Sequence, residues 1–450
     1  MKGNVFIIFI LLLCFSWAMS QTPDALQQEE VELVRRRIEQ LEQEMAAMKE
    51  VMNDLADEQR RYSEQELPTI RDLFDTKYDL RFYGFIKFDA IWNSSKIAGL
   101  DGVSFFALPG SSDSDFSMTA RQSRLGIAIS GPEDDDVRKS GVIEVDFYGM
   151  NDAAERQDRG HMRLRHAYFK LDYPNDWSIL AGQTWDVISP LAPMTLDLGV
   201  RSHCGNAGFR SPQLRLTKIF RLHEERSFKA EVALSTPKDV STRYRADHLD
   251  AGSQGFGQDS GSPVLQARAS HRFNNWTDLP AEIGISGHYG RKEYHETPVS
   301  DNRKRANSWS VNLDYQLPLT EKLRLMGEAY YGKNMEMMYA GIGEGVVIRR
   351  DPFDVYEISS FGTWAQLIYQ IDQKWRTSLG IGFARNSTSN MDRAPAVNFR
   401  TRNIAPFANV FYQITEDVMC GLEVTRYQTK FYDLDDGKAT RLMFSMQYNF

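Results

Sequence analysis

Charged side chains recur through this chain at positions that alternate with apolar ones. Arg124, Lys170, Arg215, Arg268, Arg272, Arg324 and Arg376 form a basic set. Glu144, Asp146, Glu231, Asp314, Glu328 and Glu423 form an acidic one. A guanidinium holds a carboxylate through two parallel N–H···O bonds, so the chemistry on offer is recognition of anions. Rings of fixed charge are also how water-filled passages select ions. Arginines facing carboxylates would set a field across such a passage. The alternative is that the same groups solvate a wet wall or pair with one another. Arg121, Arg163 and Arg165 fall on the opposite parity. A bulge would turn them to the charged side; otherwise they meet lipid phosphates or a neighbouring subunit. The segment 186–210 adds Arg201, His203 and Arg210 beside Pro190 and Pro193.

Chemistry of other kinds finds little support. The eight histidines lie in no H-E-x-x-H pattern, and no G-x-S-x-G is present, so a barrel-embedded hydrolase is a minor alternative. The acidic tracts Asp113, Asp115, 133–136 and 433–436 lack calcium-loop spacing. No metal and no cofactor are expected. The net charge of -8 argues against a nucleic-acid binder.

What must position these groups is read from periodicity. The 450 residues are 42% hydrophobic, with a mean hydropathy of -0.46. A bundle of membrane helices would be far more apolar, whereas a membrane barrel shows lipid only alternate residues. The first residues read as a secretory signal, 1–20, with Lys2, an apolar stretch from Val5 to Phe15, and Ala18-Met19-Ser20 as the cleavage site. Its removal leaves Cys204 and Cys420. Export makes a disulfide chemically possible, but Cys420 alternates with apolar residues and reads more simply as a small apolar side chain.

From Val31 the apolar residues take a three-four spacing: Val31, Val34, Ile38, Leu41, Met45, Met48, Met52 and Leu55. A period of 3.5 keeps one seam toward a partner helix. Arg37 precedes Glu42, and Glu44 precedes Lys49, by the five residues that join g to e in a parallel bundle. Residues 37–42 match the Arg-h-x-x-h-Glu pattern of trimeric coiled coils, where h is apolar. The segment 21–66 is therefore read as a periplasmic trimerisation coiled coil, with a lone amphipathic helix as the alternative. At about 37 Å the seam is too short to be very stable unaided. Residues 67–79 read as a linker.

Beyond residue 80 the period becomes two. Ile143, Val145 and Phe147 alternate with Glu144, Asp146 and Tyr148, and Trp309, Val311 and Leu313 with Ser310, Asn312 and Asp314. Sixteen segments follow this rule between 81 and 450. Their connections alternate short and long, as in an up-and-down outer-membrane barrel with short periplasmic turns and long external loops. The domain 80–450 is thus expected to be an all-β transmembrane antiparallel barrel of about 16 strands. The third long loop, 186–210, is expected to fold inward and narrow the channel; a surface lid or a subunit contact is the alternative. Tyr448 and Phe450 on the last strand resemble the signal that barrel assembly machinery reads.

Several stretches resemble the DcaP-like outer-membrane porins: 82–90 (FYGFIKFDA), 120–126 (ARQSRLG), 163–168 (RLRHAY) and 182–185 (GQTW). The resemblance implies a homotrimer of sixteen-stranded barrels behind a periplasmic coiled coil, in the outer membrane and in contact with its lipid. It also implies uptake of small anionic, dicarboxylate-like solutes. The candidates for lining the pore are Arg124, Lys170, Arg215, Arg268, Arg324, Glu144 and Asp146 by their parity, Arg201 by its place in loop 186–210, and Arg165, which the likeness tilts toward a pore role. A structural tether between membrane and periplasm is the competing role.

Overall fold

The computed structural model describes residues 32–33, 35–41, 43–49, 77–98, 106–110, 112–132, 136–149, 160–223, 225–238, 260–275, 277, 279–296, 301–394 and 398–450. The chain divides into two units, Met1–Asp75 and Thr76–Phe450. In the first, the described residues are helical. Arg37 donates to Gln40 at 2.8 Å on that helix, and Ile38, Leu41, Met45 and Met48 are exposed in the single chain. The signal segment, Val31, Val34 and Glu42 lie outside the described residues.

In the second unit, strands from Asp79–Asn93 to Gly437–Asn449 form one closed antiparallel sheet. Each pairs with the next in sequence, and the last pairs with the first, Phe85 opposite Asn449 through Asn93 opposite Arg441. Closure leaves the sheet no free terminal strand, which is how a membrane barrel pairs its backbone ladder without water. Sixteen staves result, the second interrupted between Asp115–Thr119 and Arg124–Ser130. The alternation sorts side chains as the pleat requires. Leu125, Val311, Leu379 and Leu422 point outward and exposed, while Asp146, Asn312, Ser378 and Glu423 point inward and are buried. An apolar exterior of this kind fits hydrocarbon. Among the described residues no helix is long and apolar enough to cross a membrane.

The interior holds two inserted loops. The loop 186–210 runs across the lumen and docks on the far wall. Its backbone approaches that wall closely at Gly205, whose φ is +102°, and a Cβ there would overlap the Thr363 carbonyl. The connection between Leu323–Lys333 and Ser359–Gln370, within the long connection 334–360 expected at the external end, folds into short helical turns at Met335–Met338 and Gly341–Gly343 and a hairpin of Val346–Arg350 with Phe353–Glu357. Met335, Met337, Met338 and Ala340 pack with Ile188 and Ala207 of the first loop and with Val264 and Tyr330 of the wall. The methionine-rich run within an otherwise polar connection was the available sign: apolar surface of that extent has to find cover.

Candidate functional site

Cross-strand ladders bring together five arginines that are scattered in sequence. Arg124 lies opposite Asp146, and Asp146 lies opposite Arg163. At Arg165 the second ladder gains a residue, with Glu144 opposite His166 and Val145 opposite Leu164. This bulge reverses the parity of the outer end of the strand His161–Asp172. Arg163 and Arg165 therefore face the lumen, one of the possibilities their positions allowed. Arg163 holds Asp146 through both oxygens, at 3.0 and 2.6 Å. Arg165 donates to Glu144 at 2.6 Å and to Asp146 at 2.8 Å. Arg121 enters from the break in the second stave and covers the Tyr148 ring at 4.6 Å.

Arg124 and Arg210 complete the group. Arg210 lies between the Trp185 and Phe209 rings, 4.6 and 4.4 Å from their centroids. Arg124 covers Phe85 at 5.0 Å. Neither has a carboxylate partner among the described residues, and the Nε of each is buried with no acceptor. Ring faces attract a cation but accept no hydrogen bond from its N–H edge. Among the described residues, Glu144 and Asp146 are the carboxylates paired within this group, and Arg163 and Arg165 hold them. Phe209 stacks on Tyr339 at 4.4 Å, which carries the aromatic surface from the first inserted loop to the second.

The other charged candidates are already partnered or lie apart. Arg268 is buried and donates to Asp314 at 2.6 Å and Glu282 at 2.8 Å, with Glu231 at 3.4 Å. Arg215 bonds Gln213 and stands 3.6 Å from Glu231. Lys170 pairs with Asp172 at 2.6 Å. Arg324 and Arg376 lie near the short-turn end, with Arg376 over the Phe411 ring, and Arg272 is exposed near the same end.

Arg201 is fully buried and paired with Glu423 and with Asp197, the latter at 3.3 Å. Glu423 also accepts from Thr195 at 2.8 Å and from the Leu196 amide at 3.0 Å. Glu328 accepts from Ser189 at 2.6 Å and the Leu191 amide at 2.8 Å. These two wall carboxylates, expected to face the passage opposite the arginines, are consumed in holding the inserted loop. Asp197, buried within that loop, would be raised by burial, but Arg441 and Arg201 outweigh this and hold it below the usual carboxylate range. Burial pushes His203, also in the loop, down to about 3, with Arg400 adding to the shift, so it is neutral. Cys204 is buried in the loop and Cys420 lies on the wall; both are free thiols.

No protein-family model matches the chain. No curated protein matches it in sequence. The barrel superposes on the outer membrane channel DcaP of Acinetobacter baumannii with a TM-score of 0.65, at 18% identity, over 83% of this chain and 97% of that one. The chain has a DcaP-like porin fold. It is also similar to an anion-selective porin from Comamonas acidovorans (TM-score 0.51, 10% identity, 83% of this chain and all of that one). OprB from Pseudomonas putida is a third such structure (TM-score 0.51, 12% identity, 85% and 96%). At these identities the likeness is one of fold. Within the porin fold the inward course of loop 186–210 agrees with the expectation from its length and place.

Proposed function

We propose that this protein is a passive channel of the bacterial outer membrane for small hydrophilic anions. The observation that carries the reading is the pair Arg124 and Arg210: among the described residues neither guanidinium has a carboxylate partner, while the neighbouring Glu144 and Asp146 are held by Arg163 and Arg165. A carboxylate-bearing solute would supply the missing acceptors and could be held by two parallel bonds. The neighbouring Arg163 and Arg165 stay tied to Asp146 and Glu144, so they add field without gripping the solute. Binding of this sort must stay weak for solute to leave, and water in the lumen keeps it so. Lys170, Arg215, Arg268 and Arg324 shape the remaining potential, and Arg201 acts through the loop it anchors.

The reading extends to assembly. The Val31–Leu55 seam joins three chains on the periplasmic side, and Tyr448 and Phe450 are the contact for barrel assembly machinery. Planar-bilayer recording in a potassium chloride gradient tests the function. A reversal potential of the sign for chloride preference supports it. Cation preference would refute the anion reading, and absence of current would refute the channel.

A further inference from the structure

A second basic cluster lies outside the barrel, where a channel has no use for it. Arg385 is directly opposite Arg402 on one side and Phe361 on the other. Arg402 is opposite Lys430, just past a bulge at residues 400–402. Tyr331 is opposite Phe361. The row Tyr331, Phe361, Arg385, Arg402, Lys430 thus crosses five neighbouring staves at one level. Inward parity is taken by Ala384, Asn386, Asn403 and Thr429, all buried, so the three cations point outward. Like charges directly opposite on a sheet are destabilising unless something neutralises them. Arg385 and Arg402 have no carboxylate partner among the described residues, and the Arg402 Nε is buried with no acceptor. Among the described residues, the carboxylate nearest Lys430 is that of Asp436, an exposed contact at 3.7 Å.

The surroundings fit one kind of occupant. The cations border an outward groove of about 640 Å³ whose rim includes Ser387, Thr388 and Thr401. They stand at the ends of their staves that carry the long connections. Toward mid-barrel on the same face come Phe383, Ile404, Ile381 and Pro406, which are apolar. A ligand here meets cations and hydroxyls at one end and an apolar wall at the other. We infer that this row is a docking site for a membrane lipid with phosphate groups on its headgroup, seated in the external leaflet with its acyl chains along the apolar wall. The inference rests on the membrane-barrel reading but not on what passes through the channel. Phosphate oxygens accept charge-assisted bonds from adjacent guanidinium groups and remove the repulsion between them.

Native mass spectrometry of the full chain in maltoside micelles, titrated with bisphosphorylated lipid A, tests it. The wild type is expected to retain lipid, in preference to phosphatidylcholine of matched chain length. Arg385→Gln/Arg402→Gln is expected to weaken retention by about tenfold or more, about 1.4 kcal/mol. The lumen variant Arg124→Gln/Arg210→Gln is expected to retain lipid as the wild type does, and Arg385→Gln/Arg402→Gln to keep wild-type conductance and ion preference, which also shows that it is folded. Undiminished retention by Arg385→Gln/Arg402→Gln, equal retention of phosphatidylcholine, or displacement of the lipid by millimolar inorganic phosphate would each overturn the assignment.

Discussion

Arg441 in the last stave donates a 2.9 Å hydrogen bond to Asp197 in the inserted loop, and both side chains are almost wholly buried. Asp197 also meets Arg201, which reaches on to Glu423. A chain of alternating charge therefore runs from wall to loop and back to the wall.

Asp197→Asn should release the loop. Removing one member of a buried ionic network leaves the others uncompensated and costs about 3–5 kcal/mol. The expected result is a channel of larger, noisier single-channel conductance and a lower unfolding temperature. Unchanged conductance in Asp197→Asn and in Glu423→Gln would show that the loop does not limit flow.

Arg210→Gln and Arg124→Gln should lower anion preference at little cost in stability, because among the described residues neither guanidinium has a carboxylate to strand. Asp146→Asn should shift preference the other way, toward anions, while destabilising the fold, since it removes the acid that Arg163 and Arg165 share. Reversal potentials give the first quantity and thermal melts the second. All three preferences should shrink at 1 M salt, where the screening length is about 3 Å.

Acid should act late on the loop. The folded-state pKa of Asp197 is depressed. Its contribution is therefore fully present above the ordinary aspartate value and is lost as pH falls through the lower folded value. His203, already neutral, gains no charge between pH 7 and 5. Conductance measured from pH 7 to 5 should carry no step that Asp197 or His203 explains, and His203→Gln should leave the profile unchanged.

Gly205→Val should disturb the loop without touching charge. The left-handed φ and the close Thr363 carbonyl leave no room for a branched side chain. The measurable result is conductance like that of Asp197→Asn with ion preference near wild type.

The seam before the barrel is tested by Ile38→Asp/Leu41→Asp. In the proposed trimer these charges would enter the seam of a short heptad run and weaken parallel association. Crosslinking is expected to capture fewer trimers from this variant than from the wild type.

Strand order and inside–outside sorting were legible because a pleated strand forces alternation, and a lipid exterior with a wet interior writes that alternation into residue type. The segments 177–185 and 264–273 show it: the strands run Trp177–Trp185 and Val264–Asn274. The course of loop 186–210 was legible from its length and place. Periodicity did not reveal that Arg163 and Arg165 face inward, because one bulged residue reverses parity and has no signature in composition. Nor did it show that Glu328 and Glu423 face a loop rather than water, or that among the described residues Arg124 and Arg210 meet rings and no carboxylate. Arg201 and Glu423 are 222 positions apart. Alternation is a rule between neighbours in the chain and so is carried by the sequence. Which charge meets which is set by closing the cylinder and folding loops into it, and only the tertiary structure decides that.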